Sequence, residues 1–516
     1  MCGFIGVYGP EGVDVAPEVY EGLLAIQHRG QDAAGITTFT DKFHVKKGFG
    51  LVREVFDEHN MARLRGNLAV GHVRYPTVGS GTGDDAQPFH LTFPVGVAMA
   101  HNGNVTNFED LVETHFNKSG SRLNSSCDLE VILMVFARAL SERIRPGEKV
   151  KPDDIFAAVK AVFREVRGAY SVVATLPDLG MLCFRDPYGI KPITFGEKET
   201  DEGTWYACAS ESVVLDVTGY KRTIDLGPGE ALLLTEDREI HRAKLEDKPH
   251  RPCVFELVYF ARPDSMLDGI SVYKTRTRFG HALAEQWEES GAPVPDVVMP
   301  IPDSSRDAAI AMATRLGVPY REGLIKNRYI GRTFIMPDQG SRQTSLRRKL
   351  NTIPLEFRDK KVLLVDDSIV RGNTSQRIVH MARAAGAAEV YMAVSSPPLV
   401  APCPYGIDMA SKMEFIASGR SNDEVAELIG VNYLLHLDRD RMNDSARTGN
   451  PAIEKFCNAC FTGEYPTGDI TSDVLERIEG ERTTAQRVFR FSEGGPDSSD
   501  GKGAKPKPKA QREHVS

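Results

Sequence analysis

The 516-residue chain has no run of 18 or more apolar residues and does not open on a basic segment followed by an apolar stretch. Neither a membrane span nor a secretory leader is therefore expected. It is also poor in cysteine: eight thiols in so long a chain, without a leader, do not make a disulfide framework and read as buried thiols, a nucleophile or metal ligands. Charge of one sign is lacking too. With 63 basic against 71 acidic residues spread along the chain the formal net charge is −8, which argues against nucleic acid as a partner. No internal repeat is present. What remains, 41% hydrophobic and 26% charged residues, is the composition of a soluble globular protein, and a cytoplasmic location is expected. The length exceeds one ordinary core and suggests two large domains or three small ones.

From residue 1 to about 240 short strands and turns surround two evident helices. Strand-like runs are FIGVYG, LAVGHVRY at 68–75, VGVAMAHNG at 95–103, AYSVVATL at 169–176 and EALLLTE at 230–236. Helical periodicity marks DLEVILMVFARAL at 128–140 and DDIFAAVKAVFREV at 153–166. Many strands with few helices predict packed sheets covered by helices. The polar, proline-bearing EDKPHRP at 246–252 reads as a linker. Beyond it strands and helices alternate: PDVVMPIP at 295–302 leads into SSRDAAIAMATRLG, and KVLLVDDS at 361–368 into TSQRIVHMARAAG, with a further strand in AEVYMAVSS. Gly317 and Gly386 follow the two helices, where left-handed caps are expected. These are βαβ units, hence a parallel sheet with ligands at the carboxyl ends of its strands. After about residue 480 the sequence cannot bury a core and is expected to be disordered.

Two stretches carry chemistry. A chain end is a poor place to bury a thiol, yet Cys2 stands at position two. If Met1 is removed, Cys2 bears both a thiol and an α-amine whose unperturbed pKa of about 8 lets it take the thiol proton. The alternative is a cysteine at a frayed end. In VLLVDDSIVRGNTS at 362–375 an apolar strand ends in Asp366 and Asp367, and the backbone N–H groups of Arg371, Gly372, Asn373, Thr374 and Ser375 open a helix. Such amides cradle a phosphate, and paired carboxylates beside them suit ribose hydroxyls or Mg²⁺. A strand, an acidic turn and a capped helix would be the plain alternative.

The second stretch resembles the PRPP-binding motif of the type I phosphoribosyltransferases. MCGFIGVYG, QHRGQDAAG at 27–35, GHVRYPT at 71–77 and AHNGNVTN at 100–107 resemble the N-terminal-nucleophile glutaminase domain of glutamine amidotransferases. Together with CVFELVYFARPDS at 253–265 and KNRYIGRTFIMP at 326–337, their order resembles the amidophosphoribosyltransferase family from residue 1 to about 470. The resemblance implies an αββα glutaminase domain over 2–245, a parallel-sheet phosphoribosyltransferase domain over 253–470 and a tail over 480–516. It implies ammonia transfer from glutamine to PRPP at the entry to purine synthesis, with Mg²⁺, inhibition by purine nucleotides and a homotetramer.

It also implies roles for single residues. Cys2 becomes the glutaminase nucleophile, with Asn102 and the Gly103 N–H stabilising the oxyanion; an Asn-Gly pair alone is more often a tight turn. Arg74 would hold the glutamine α-carboxylate and Asp128 its α-ammonium, although an arginine is commonly a surface charge and Asp128 could be a helix N-cap. Here SSCDLE departs from the family, which commonly has serines on both sides of the aspartate. Ser304 in PIPDSSRD would join Asp366 and Asp367 around Mg²⁺, unless that segment is a helix-capping turn. From Lys326 to Lys349 there are seven Lys or Arg and one acid, either a solvated basic run or the loop that closes over PRPP. Cys253, Cys403, Cys457 and Cys460 match a [4Fe–4S] site present in one branch of the family; zinc or four plain buried thiols are the alternatives. Cys127, Cys183 and Cys208 read as core thiols. GGPDSS at 494–499 resembles the pyrophosphatase loop of ATP-dependent amidotransferases, but it follows no strand and is given no role.

Two other functions compete. A different amidotransferase, such as glucosamine-phosphate synthase or asparagine synthetase, would share the first half but not the PRPP motif. A nucleotide-sensing regulator would keep the second half but has no use for Cys2, Arg74, Asn102 and Asp128.

Overall fold

Strand Gly3–Tyr8 alternates strictly: Phe4 and Tyr8 face one way, Ile5 and Val7 the other, and all four are buried. A strand buried on both faces must lie between two layers, and it does. In this computed structural model, which describes residues 2–75, 85–117, 122–145, 149–327, 350–407, 409, 412–478 and 480, it is central to a seven-stranded sheet among the described residues. Its antiparallel neighbours are Gly203–Ala209 and Leu68–Arg74. A six-stranded sheet built on Val97–Val105, Gly168–Leu176 and Gly180–Arg185 faces it. Phe4, Val70, Val173, Met181 and Phe195 fill the space between the sheets. Ile5 and Val7 instead meet Val19 and Leu23 of helix Ala16–Ala25 on the outer face. Helices Asp128–Ser141 and Pro152–Glu165 cover the other sheet through Ile132, Val135 and Val159. Each such side chain contributes roughly 1.5–3 kcal/mol by leaving water. The layers are therefore helix, sheet, sheet, helix, as the strand-rich pattern predicts.

The second half holds a parallel sheet in the order Val297–Pro300, Lys361–Asp366, Glu389–Val394, Tyr433–His436. Its strands are apolar on both faces because helices cover both. Val298, Leu363 and Ala393 pack toward helices Val272–Glu289 and Arg306–Leu316, while Met299, Leu364 and Met392 meet helices Asn373–Ala384 and Asn422–Ile429. Gly317 and Gly386 follow their helices with φ of 68° and 97°, the left-handed endings expected.

Residues 246–252 run without regular structure between the halves, with Arg251 N–H bonded to Tyr188 O and Cys253 N–H to Ile190 O. The tail from 481 and most of the basic stretch, 328–349, lie outside the described residues. Among the described residues no helix is long and apolar enough to cross a membrane.

Candidate active sites

Cys2 stands at the mouth of the central strand and is 7% exposed. Pairing Gly3 with Val73 brings it beside the end of strand Leu68–Arg74, where its thiol donates to Tyr75 O at 3.8 Å. From the facing sheet Asn102 reaches across: the Cys2 backbone N–H donates to Asn102 Oδ1 at 3.4 Å. Asn102 is fully buried, and its Nδ2 has no hydrogen-bond partner. An orphaned buried donor costs about 1–3 kcal/mol. It is tolerable where a ligand oxygen will occupy the gap, and the Oδ1 of the same amide already meets the Cys2 N–H. Gly103 follows with φ of 153°, and a Cβ there would meet Ala169 O at 2.0 Å. Only glycine fits.

Asp128 does not cap its helix. It occupies the first helical position and turns its Oδ2 to His101 Nε2 at 3.1 Å and to Val105 N–H at 2.9 Å. Burial works against its charge, but His101 and the Val105 amide outweigh burial and hold the carboxyl below its usual range. His101 is itself fixed: Nδ1 accepts from Gln87 Nε2 at 2.9 Å, which leaves the Nε2 proton for Asp128. The Cys127 thiol lies 3.8 Å from Asp128 Oδ1, and burial pushes its pKa up. Arg74 is buried with Asp85 3.5 Å away, and Asp85 also accepts from the Ser126 N–H and hydroxyl, both at 3.0 Å. Among the residues acting on the charge of Asp128, Arg74 joins His101 in favouring the carboxylate. Gln87, Asp85, Ser126 and His101 carry no functional reading from the sequence; His101 lies inside HNGN and Ser126 inside SSCDLE, while Asp85 and Gln87 lie in no motif.

The second site sits at the carboxyl edge of the parallel sheet. Asp366 Oδ1 accepts the Asp367 N–H at 2.9 Å and faces the Ser305 hydroxyl at 3.4 Å. Asp367 accepts from the hydroxyls of Ser304 and Ser368. Burial and the adjoining carboxylate push Asp366 well above the usual range; burial also raises Asp367, against the pull of its serines and Arg276. A pair of crowded carboxylates with hydroxyl neighbours is a hard-oxygen donor set, suited to Mg²⁺. Gly372, at φ of 76°, precedes helix Asn373–Ala384, and a Cβ on it would strike Ile416 Cδ1 at 2.3 Å. Asn373 and Thr374 are exposed at the helix start and Ser375 is buried. Arg371 reaches Glu414 at 3.0 Å. Lys326 pairs with Asp303 at 3.0 Å on a strand joined to Leu350–Thr352, the two ends of the basic stretch; Lys349 lies outside the described residues.

Cys183 and Cys208 lie in the core between the two antiparallel sheets, whereas Cys253, Cys403, Cys457 and Cys460 belong to one buried cluster of the second half. Cys457 bonds through its backbone to Pro252 O and Val254 N–H, and Cys460 O accepts from Val400 and Ala401. Burial, and then neighbouring cysteines, push the thiols of Cys457 and Cys460 well up, while burial pushes Cys253 up to about 12. No disulfide joins them. Among the described residues no three His, Cys, Asp or Glu side chains are already arranged to hold a metal ion.

Comparison with known proteins bears on all of this. A family described as glutamine amidotransferase domain matches residues 72–216, and one described as phosphoribosyl transferase domain matches residues 279–397. The amidophosphoribosyltransferase of Pseudomonas aeruginosa is 48% identical over 493 residues, 95% of this chain and 97% of its own. That of Escherichia coli is 46% identical over 503 residues, covering 96% and 98%. The chain belongs to the amidophosphoribosyltransferase family. Of solved structures, a Bacillus subtilis glutamine PRPP amidotransferase complexed with ADP and GMP superposes with a TM-score of 0.80. It is 36% identical, over 91% of this chain and 98% of that one. As an amidophosphoribosyltransferase the chain joins a glutaminase fold to a phosphoribosyltransferase fold in one polypeptide, and neither rival function keeps both.

Proposed function

We propose that the chain, with a glutaminase domain over 2–245 and a phosphoribosyltransferase domain over 253–470, converts glutamine, PRPP and water to 5-phosphoribosylamine, glutamate and pyrophosphate. This is the first committed step of purine biosynthesis. The observation that carries the reading is the unsatisfied Nδ2 of Asn102, a side chain whose Oδ1 accepts from the Cys2 N–H.

Once Met1 is gone, the Cys2 α-amine takes the thiol proton and the sulfur attacks the glutamine side-chain amide. The oxyanion settles on Asn102 Nδ2 and the Gly103 N–H. Ammonia leaves, and water hydrolyses the γ-glutamyl thioester to glutamate. Arg74 holds the α-carboxylate and Asp128, through Oδ1, the α-ammonium. In the second domain ammonia attacks the ribose C1 as pyrophosphate departs, through a transition state of oxocarbenium character. Asp366 and Asp367 hold the ribose hydroxyls, the amides from Arg371 to Ser375 hold the 5-phosphate, and Lys326 and Lys349 neutralise the leaving group. Asp366, Asp367 and Ser304 would hold Mg²⁺, which supplies charge neutralisation at the pyrophosphate. Purine nucleotides act as inhibitors and the enzyme works as a cytoplasmic homotetramer; ADP and GMP in the Bacillus subtilis neighbour support the first of these.

The test is one assay. Purified protein with glutamine, PRPP and Mg²⁺ releases glutamate and pyrophosphate in equal amounts, and pyrophosphate release stops when both glutamine and ammonia are withheld. Glutamate release with no pyrophosphate under any condition would reject the reading.

Cys253, Cys403, Cys457 and Cys460 bind a [4Fe–4S] cluster of structural role. Support comes from the donor set: buried thiols that repel each other's charge are poor thiolates until a cationic group joins them. Protein purified without oxygen is expected to carry about four iron and four acid-labile sulfide per chain. Zinc near one per chain without sulfide would replace the cluster with a zinc site.

A further inference from the structure

Strand Val97–Val105 alternates between the two layers of the first half. Ala98 and Ala100 line the space between the sheets, and Val97, Met99 and Val105 face the covering helices. The period of two puts Asn102 and Asn104 on the inner face with the alanines. Asn102 is used there, against Cys2. Asn104, 3% exposed, has no role in the reaction proposed above, yet a buried amide needs a partner. It finds one outside its own half: Asn104 Nδ2 donates to Pro404 O at 2.8 Å.

The same stretch of the second half lies on the neighbouring peptide. A Cβ on Gly406, at φ of 87°, would fall 2.5 Å from Gly103 O and 2.7 Å from Gly103 C. Gly103 also meets strand Gly168–Leu176, where its own Cβ would strike Ala169 O. The glycine that offers its N–H to the oxyanion is therefore held by two backbones, one from each half. Glycine reaches positive φ as readily as negative, so its φ of 153° is fixed by these neighbours and not by its own preference. The stretch that presses on it is itself stiff. Pro402 and Pro404 fix two of its φ angles. Tyr465 donates its hydroxyl to Pro402 O at 2.8 Å, and the Tyr405 and Thr467 hydroxyls lie 2.6 Å apart.

We propose that Asn104 is a positioning residue for glutamine hydrolysis: its bond to Pro404 O seats segment 404–406 on Gly103 and so aims the Gly103 N–H at the oxyanion. The inference rests on the reaction proposed above and on its assignment of that N–H. The segment acts as a fixed brace, whatever occupies the second site. An oxyanion donor stabilises best when its direction is set before the charge forms, since a donor that must first turn loses part of the effect. Displacing such a group by about 1 Å costs up to about 10²-fold in rate. Without the Asn104 amide, Pro404 O loses its donor and the Gly103 peptide gains room to rotate. Attack by the same sulfur on a centre that develops no oxyanion is unaffected, because the Cys2 thiol is untouched.

Full-length Asn104→Leu, which keeps the volume but not the donor, tests this beside Asn104→Ser, which keeps a shorter donor. Glutamate release is followed against glutamine concentration at saturating PRPP and Mg²⁺. Ammonia-dependent pyrophosphate release and the thermal midpoint are measured alongside. So is the rate at which iodoacetamide alkylates Cys2, read from the mass of its peptide, a displacement at carbon that forms no oxyanion. In Asn104→Leu, kcat for glutamine is expected to fall by about 10- to 100-fold with KM within about twofold, while alkylation and ammonia-dependent turnover also stay within about twofold. Asn104→Ser should recover part of the lost kcat. If the leucine variant does not fold, the serine variant carries the test, with kcat expected to fall by about threefold or more at an unchanged alkylation rate. A parental kcat overturns the proposal. So does a rise in KM at unchanged kcat, which makes Asn104 a binding residue. A fall of kcat, alkylation and thermal midpoint together also overturns it, the mark of a merely structural amide. A parent that releases no glutamate from glutamine would reject the reaction itself.

Discussion

Cys2→Ala is expected to abolish glutamine-dependent synthesis while phosphoribosylamine formation from added ammonia continues. The loss should be on the order of 10⁴-fold or more, because removing the nucleophile leaves only substrate binding and the oxyanion donors. Ammonia-dependent turnover survives because the two chemistries sit on different sheets. Cys2 is at the mouth of strand Gly3–Tyr8 in the antiparallel half, and the acid pair ends strand Lys361–Asp366 in the parallel half. Folding should be unaffected: the Asn102 contact is made by the Cys2 backbone N–H, which alanine keeps. Glutamate and pyrophosphate release, each measured with glutamine and then with ammonium, make the check. Equal loss of both activities in a folded variant would refute the division of labour.

The residues that were legible in the sequence share a property: each lies within a few positions of the feature that explains it. Asp366 and Asp367 follow directly on the apolar run that buries their strand, so their emergence at its edge is a local consequence. Helix Asp128–Ser141 repeats its apolar positions within one stretch, and strand Gly3–Tyr8 alternates within six residues. Where burial is partial, the pattern fades. Strand Phe43–Phe49, FHVKKGF, lies at a sheet edge and needs no buried alternation, so nothing in it announces a strand. Helix Ser212–Thr218 is too short to show a period.

Partnerships between distant segments were invisible for a different reason. Asp128 looks like a helix N-cap until the fold brings His101 and the Val105 amide to it from another strand. Gln87 and Asp85 gain meaning only through His101, Ser126 and Arg74. Arg29, Glu211 and Glu256 are a further case, since their partners lie 182 and 227 positions apart. QHRGQD is quotable as a motif, yet no periodicity states that its arginine will be buried against two glutamates. Sequence locates groups whose chemistry is intrinsic, whereas a buried charge acquires its role from whatever neutralises it.

Replacing both Asp366 and Asp367 with Asn is expected to do the reverse of Cys2→Ala: PRPP-free glutamine hydrolysis persists and ribosyl transfer, from glutamine or ammonia, falls by about 10²–10³-fold or more. Asparagine has the shape of aspartate and its Oδ1 still accepts the Ser304 and Ser305 hydroxyls, so the loop geometry is retained. The two buried carboxylates also repel one another, and both are held above the ordinary range. Removing that repulsion should leave the thermal midpoint of the substrate-free protein equal or higher. What disappears is negative charge at the ribose and the metal, while the amides from Arg371 to Ser375 stay in place. PRPP binding should therefore weaken less than turnover falls, a split between Kd and kcat that equilibrium binding and steady-state assays with ammonia measure side by side. Turnover at the parental rate would remove the acid pair from the chemistry. A fall in Kd-limited occupancy large enough to account for the whole loss would make the pair a binding element alone.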